Sequence, residues 1–285
     1  MTLNEFIEVM FLAVVQGIAE FLPISSSGHL VVLGKLFERW LGDPAAEEKK
    51  NIILNLALHV GTLASILVVY RKDLWGIWRR PKLCLAVVVA TIPATLAYKL
   101  LKDYVEATFE MPIVVACGWL VTAGLLWYAP RARQGDRSLN ELTMGDAVKI
   151  GCFQAVSLLF RGVSRSGSTI SGGLFTGLSR EAAAEFSFLI AIPAIAGGAV
   201  LKVLPLVKAH LLGTPSLAEG SSALVGGYSP LALVVGTLTS FVVGLISLRW
   251  LLRIVVQRGL DGFVYYVLTA SLLTFVWQGY EYFAK

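Results

Sequence analysis

Residues 17–30 read GIAEFLPISSSGHL. Within an otherwise oily stretch they place a glutamate, a proline, three consecutive serines, a glycine and a histidine. Proline removes a backbone donor and clashes with the preceding turn, so a helix ends there. Serine caps the free N–H groups of the helix that follows. The stretch therefore predicts two apolar segments, about 4–22 and 24–37, split at Pro23. Each half is too short or too interrupted for a span of about 20 residues.

The rest of the chain says where such a break belongs. Of 285 residues, 56% are hydrophobic and only 15% are charged, against about a quarter charged in soluble domains. This is the composition of an all-α integral membrane protein. Other apolar segments run over about 52–70, 83–102, 112–129, 147–160, 167–178, 182–205, 230–252 and 263–281. A second pair, 147–160 and 167–178, is split by RGVSRSGST (161–169). No cleavable leader is expected at the N-terminus, which lacks a basic region and a small-residue cleavage site. Cys84, Cys117 and Cys152 lie in apolar segments with no metal or disulfide spacing. The net charge of +5 does not point to nucleic acid, because the basic residues cluster in short loops.

Those loops orient the chain. Arg71, Lys72, Arg79, Arg80 and Lys82 follow one span; Arg131, Arg133 and Arg137 follow another; Arg249, Arg253 and Arg258 mark a third connection. All three clusters face the cytoplasm only if each broken pair enters and leaves on one face. The expectation is six transmembrane helices and two re-entrant helical hairpins, 4–37 and 147–178, in one domain over 1–285. The loops near 41–51, 103–111 and 206–229 then lie outside. FLPISSSGH aligns with LFRGVSRSGS if one residue is inserted, and Gln16 falls opposite Gln154. Each half, about 1–130 and about 145–285, holds one hairpin and three spans. An odd number of spans inverts the second half, the inverted-topology repeat in which broken helices meet near the midplane. Irregular backbone at that depth must be buried in protein or line an aqueous cavity. The two breaks should therefore share a polar site.

Glu20 follows Gln16 by one helical turn, so both share a face. A carboxylate at membrane depth is costly and marks function, as a metal ligand or proton carrier, against a packing ion pair. Ser25, Ser26 and Ser27 offer capping, phosphate binding at a helix N-terminus, or a nucleophile if a base is in reach. His29 has acid–base chemistry near neutrality or is a hydrogen-bonded interior residue. His59 reads as a packing or supporting residue, and His210 as an outer-loop residue. In the second break Arg165 presents a fork suited to phosphate oxygens, ringed by Ser164, Ser166, Ser168 and Thr169. Gly162 and Gly167 permit close backbone approach. Arg161 suits snorkelling or an auxiliary contact. Together the hairpins make a site for a phosphorylated amphiphile, its phosphate in the cavity and its tail between spans. A transporter of the same headgroup is the rival reading, since inverted repeats with broken helices also build transporters.

These motifs resemble the undecaprenyl pyrophosphate phosphatase family, the membrane enzymes of bacitracin resistance. Gln16, Glu20, FLPISSSGH and His29 match its first motif; RGVSRSGST matches its second, and the likeness runs on through 169–193. The resemblance implies hydrolysis of undecaprenyl pyrophosphate to undecaprenyl phosphate and inorganic phosphate, recycling the cell-wall lipid carrier. It implies a divalent cation, Mg2+ or Ca2+, with Glu20 as metal ligand or base and Gln16 as a weaker ligand. Ser26, flanked by Ser25 and Ser27, would bind phosphate or attack it, and His29 would be the acid–base group or alternative nucleophile. Arg165 would hold the pyrophosphate, with Ser164, Ser166, Thr169 and Gly162 in support. The expected partners are a polyprenyl pyrophosphate lipid and membrane lipid, with no nucleic acid; a homodimer is left open, since oligomeric state is not readable from the sequence. The implied place is the bacterial cytoplasmic membrane; loop charge and span parity put the cavity opening on the outer face. Gln16 stands where many members have Glu, and Arg161 replaces the usual proline.

Overall fold

The computed structural model describes residues 3–41, 47–108, 111–132, 135–212 and 228–283. Of the expected outer loops, 42–46 and 213–227 lie outside these residues, as does Arg133, whereas 47–51, 103–108 and 206–212 are helical rather than loop. Eleven α-helices run through the described residues: α1 Leu3–Ala19, α2 Ser26–Leu41, α3 Glu47–Val69, α4 Arg71–Gly76, α5 Pro81–Thr108, α6 Pro112–Ala132, α7 Met144–Leu159, α8 Arg165–Phe175, α9 Arg180–Leu212, α10 Pro230–Gln257 and α11 Asp261–Phe283. Every apolar segment read from the sequence is a helix, and both expected breaks are present, between α1 and α2 and between α7 and α8.

Four helices are long and apolar enough to cross a membrane, within α5, α6, α9 and α10; α3 with the segment after it makes a fifth, bent by 66°. The bend falls where the apolar run meets Arg71 and Lys72. Beyond it Trp75 and Trp78 are almost fully exposed, the arrangement of aromatic residues at a membrane surface. α11 is 23 residues long, enough to span at 1.5 Å per residue.

Side-chain contacts show which ends lie together. Arg137 Nη2 pairs with Asp146 Oδ2 at 2.8 Å at the start of α7, and its Nη1 donates to the Thr176 carbonyl at the end of α8. The α7–α8 pair thus begins and ends on one face. Arg131 pairs with Asp261 at 2.9 Å, so the end of α6 and the start of α11 meet. In the first pair, Val9, Leu12, Leu54, Leu58, Tyr228 and Ala232 form an apolar cluster with Leu30 and Leu33 against it. Tyr228 also donates to Glu8 at 2.9 Å. α2 therefore turns back beside the first turns of α1, near the start of α10.

Part of the helix packing recurs between the halves, although α8 also packs closely on α9 and no comparable packing joins α2 to α3 among the described residues. α1 packs on α10 as α7 packs on α5; α3 packs on α10 as α9 packs on α5; α6 and α11 pack on each other. The main core cluster joins residues of the first break and of α7 and α8 to α5, α6, α9, α10 and α11. Close crossings need glycine. A Cβ on Gly118 of α6 would meet the Arg161 carbonyl, and one on Gly151 of α7 would meet the Ala90 carbonyl.

Candidate active site

Both turns are built alike. Ser25 Oγ accepts from the Gly28 N–H at 3.3 Å, and Ser164 Oγ from the Gly167 N–H at 3.1 Å. Ser27 Oγ lies 3.4 Å from Ser25 Oγ, and Ser166 Oγ 3.2 Å from Ser164 Oγ. Each capping serine also accepts the next turn's N–H on its carbonyl, from His29 and from Ser168. The one-residue insertion changes how the chain reverses. The second turn uses Gly162 at φ +87°, whereas the first puts Ser25 itself at φ +68°. For a residue with a Cβ this left-handed backbone costs about 1–2 kcal/mol.

The two helix starts abut. A Cβ on Gly28 would lie 3.3 Å from Gly162 Cα, and one on Gly167 would lie 3.3 Å from Pro23 Cβ. Ser166 Oγ donates to the Leu22 carbonyl at 3.1 Å. α6 braces both turns from one face. Trp119 Nε1 donates to the Ile24 carbonyl at 2.9 Å, and Thr122 Oγ1 to the Gly162 carbonyl at 3.1 Å while accepting from the Ser164 N–H.

Glu20 is the hub of this meeting point. Its Oε1 takes Arg165 Nη2 at 2.7 Å. Its Oε2 accepts from Ser26 Oγ at 2.7 Å and from Gln16 Nε2 at 3.1 Å, and His59 Nε2 stands 3.6 Å away. Glu20 is 7% exposed, but Ser26, Ser27, Arg165 and His59 around it are partly open. The site thus has a carboxylate floor and a hydroxyl, guanidinium and imidazole rim. Arg165 Nη1 is buried with no hydrogen-bond partner, and so is Gln16 Oε1. An unmatched donor and an unmatched acceptor at membrane depth are each costly unless a ligand completes them.

The expected residues therefore divide. Glu20, Gln16, Ser26 and Arg165 converge, with Ser27 at the rim. Ser25, Ser164, Ser166 and Thr169 are buried and brace the turns; Thr169 Oγ1 donates to the Arg165 carbonyl at 2.8 Å and lies 2.6 Å from Ser187 Oγ. Gly162 supplies the reversal and the close approach. Both ring nitrogens of His29 are engaged elsewhere, Nδ1 with the Ser25 carbonyl at 2.8 Å and Nε2 with Tyr266 Oη at 2.8 Å. A carbonyl only accepts, so Nδ1 carries the proton and Nε2 accepts from the tyrosine. The imidazole next to Glu20 is that of His59. Sequence reasoning singled out neither Tyr266 nor Thr122, and gave His59 only a supporting role. The buried indole of Trp119, which needs a partner for its N–H, was the one local sign of the α6 brace.

The fit of a divalent cation rests on the donor set. Among the described residues no three His, Cys, Asp or Glu side chains form a group that could hold a metal ion. One carboxylate beside the unpartnered Gln16 Oε1 suits instead a hard cation that shares its coordination with phosphate oxygens and water. The residues present fit that kind of ion.

Comparison with known proteins agrees with this geometry. The sequence profile of the bacitracin resistance protein BacA matches residues 9–273. An undecaprenyl-diphosphatase of Rhodopirellula baltica is 38% identical over 272 residues, covering 95% of this chain and 97% of that protein. One of Carboxydothermus hydrogenoformans is 34% identical over 97% of this chain and 98% of its own length. Undecaprenyl-diphosphatase 4 of Bacillus cereus is 34% identical over 96% and 97%. With two breaks meeting at Glu20 and Arg165 and a match over nearly its whole length, the chain belongs to the bacitracin resistance protein family.

Proposed function

We propose that the protein hydrolyses undecaprenyl pyrophosphate to undecaprenyl phosphate and inorganic phosphate, as an integral-membrane phosphatase that recycles the lipid carrier of cell-wall synthesis and protects against bacitracin. The observation that carries this reading is Arg165. Its Nη2 is held by Glu20 while Nη1 is buried and unpartnered, at the point where α2 and α8 begin. Helix starts and a guanidinium together favour a phosphate group.

Phosphoryl transfer asks chiefly for positioning and charge neutralisation. Arg165 binds the phosphate oxygens with the donor it has free. Ser26 is the hydroxyl with a base in hydrogen-bond reach, Glu20 at 2.7 Å, so it is the nucleophile in this reading. Its oxygen bonds to the terminal phosphorus, the bond to the bridging oxygen breaks to release undecaprenyl phosphate, and the serine proton passes to the Glu20 carboxylate. Water then releases phosphate from the serine. Ser25, Ser164, Ser166 and Thr169 hold the two turns rigid, and His29 with Tyr266 anchors the first. A divalent cation, when bound by Glu20 and Gln16 Oε1, would neutralise pyrophosphate charge.

In the membrane, six spans and two inverted hairpins are supported by the shared faces of α7 with α8 and of α1 with α2. The cavity opens to the outer face if the basic loops are cytoplasmic. The test is phosphate release from undecaprenyl pyrophosphate by the purified protein in detergent, where transport alone yields none. Arg165→Ala and Ser26→Ala should each lose it while eluting as a single folded species. Near-normal release by Ser26→Ala would remove the serine from the chemistry, and by Arg165→Ala would remove the whole reading.

A further inference from the structure

His59 is not accounted for by phosphate binding. It sits on α3, and its Nδ1 lies 2.7 Å from the Asn55 carbonyl. The carbonyl can only accept, so Nδ1 donates to it and Nε2 is the ring nitrogen turned to the site. Nε2 faces Glu20 Oε2 at 3.6 Å. That gap is beyond hydrogen-bond length and leaves room for a cation held by both groups. The ring also shows the support that ligating histidines have, the far N–H tied to a backbone carbonyl so that the tautomer and orientation are fixed.

Two unpartnered amide oxygens lie on the same two helices. Gln16 lies one turn before Glu20, and its Oε1 is buried without a partner; Asn55 lies one turn before His59, and its Oδ1 is likewise unpartnered. Gln16 is fully buried, and its Nε2 is already spent on Glu20, which leaves its oxygen as the available end. A cation bound at about 2.0–2.2 Å from nitrogen and oxygen holds neighbouring ligands about 3–3.5 Å apart, so the observed gap needs only a slight closure.

We infer that His59 Nε2 is a direct ligand, with Glu20, of this protein's divalent cation, α1 and α3 each contributing one ligand to the ion beside Arg165. An imidazole nitrogen disfavours Ca2+, which takes oxygen ligands, and admits first-row ions such as Mn2+. The inference relies on the phosphatase reading for the ion's role, but not for its binding.

The probe is Mn2+ alone, added to the full-length protein purified in detergent, with pulsed electron paramagnetic resonance reading nitrogen coupling to the ion. The parent protein should show one histidine nitrogen. His59→Gln should lose that coupling and bind Mn2+ about tenfold or more weakly, whereas His29→Gln should keep it. No nitrogen coupling in the parent would overturn the inference, even if His59→Gln did not fold. Full coupling in a folded His59→Gln would do the same and would leave a proton as the cation between His59 and Glu20. Phosphate release is measured on the same parent sample. Release without nitrogen coupling defeats only the ligand assignment; coupling without release defeats only the phosphatase reading.

Discussion

Ser26 and Arg165 occupy the same position in the two turns, the first residue after the capping serine, and each holds one oxygen of Glu20. Ser26 Oγ is 2.7 Å from Oε2 and Arg165 Nη2 is 2.7 Å from Oε1. Two turns of one design thus carry different chemistry at one register, hydroxyl in the first and guanidinium in the second. The carboxylate they share has no counterpart, because Leu158 stands where Glu20 would repeat.

This pairing predicts non-additive stability. Removing one member of a buried ion pair strands the other and costs about 3–5 kcal/mol. Arg165→Ala and Glu20→Ala should each unfold at lower temperature in detergent than the parent. Combining them should recover much of the loss, while phosphate release stays absent. Equal and additive losses would mean that the pair is not coupled in the folded protein.

Ser25 offers a gain rather than a loss. Its φ of +68° strains any residue with a Cβ, while glycine in place of a capping serine costs only a few tenths of a kcal/mol. Ser25→Gly should therefore be neutral or more stable by up to about 1 kcal/mol. Ser25→Val, with a branched Cβ and no cap, should be clearly destabilised. Thermal unfolding of the two variants checks the order.

His29 and Tyr266 should behave as one unit. The Tyr266 hydroxyl meets His29 Nε2 at 2.8 Å, and the rings stack with centroids 5.6 Å apart. A double-mutant cycle of Tyr266→Phe and His29→Ala on thermal stability should give a coupling of about 1 kcal/mol. Zero coupling would show that the hydrogen bond does not hold the first turn.

Outside the membrane, the Arg137–Asp146 contact should make stability depend on acid. Burial pushes the Asp146 carboxyl up, but the Arg137 hydrogen bond and those from Thr143 outweigh it, leaving it below its ordinary 3.8. A depressed folded-state value gives stabilisation that is complete above the unfolded value and lost as pH falls through the folded one. The contribution should thus be constant from pH 7 to about 5 and fade below about 4. Arg137→Gln should flatten that acid limb of the unfolding temperature, measured from pH 6 to 3.

Much of this was legible in order along the chain. Pro23, Gly162 and the serine runs carry their own backbone consequences, so the breaks at both turns, and a serine cap within 25–27, could be placed from local chemistry; the cap at Ser164 was not foreseen. Glu20 and Arg165 stood out because ionised groups at membrane depth need a reason. The partners of His29 and His59 were not legible. Tyr266 lies 237 residues from His29 on a helix with no local mark of function. Whether His29 or His59 faces Glu20 depends on how α2 and α3 are rotated against α1, which is set by packing partners far along the chain. The serines looked equivalent in sequence; only packing separates the buried braces from Ser26 at the rim.

The distance along the chain between Glu20 and its counter-ion, 145 residues, bears on how the protein is made. A chain built from its N-terminus delivers this carboxylate long before Arg165 exists, and the Trp119 anchor of the same turn arrives 95 residues late. Glu20 must spend that interval hydrated at the bilayer surface, since an unpaired charge resists entering hydrocarbon. The first hairpin is thus a late arrival despite being synthesised first. A ribosome stalled after α6 should hold it exposed to proteases and to water-borne labels, and one stalled after α8 should not.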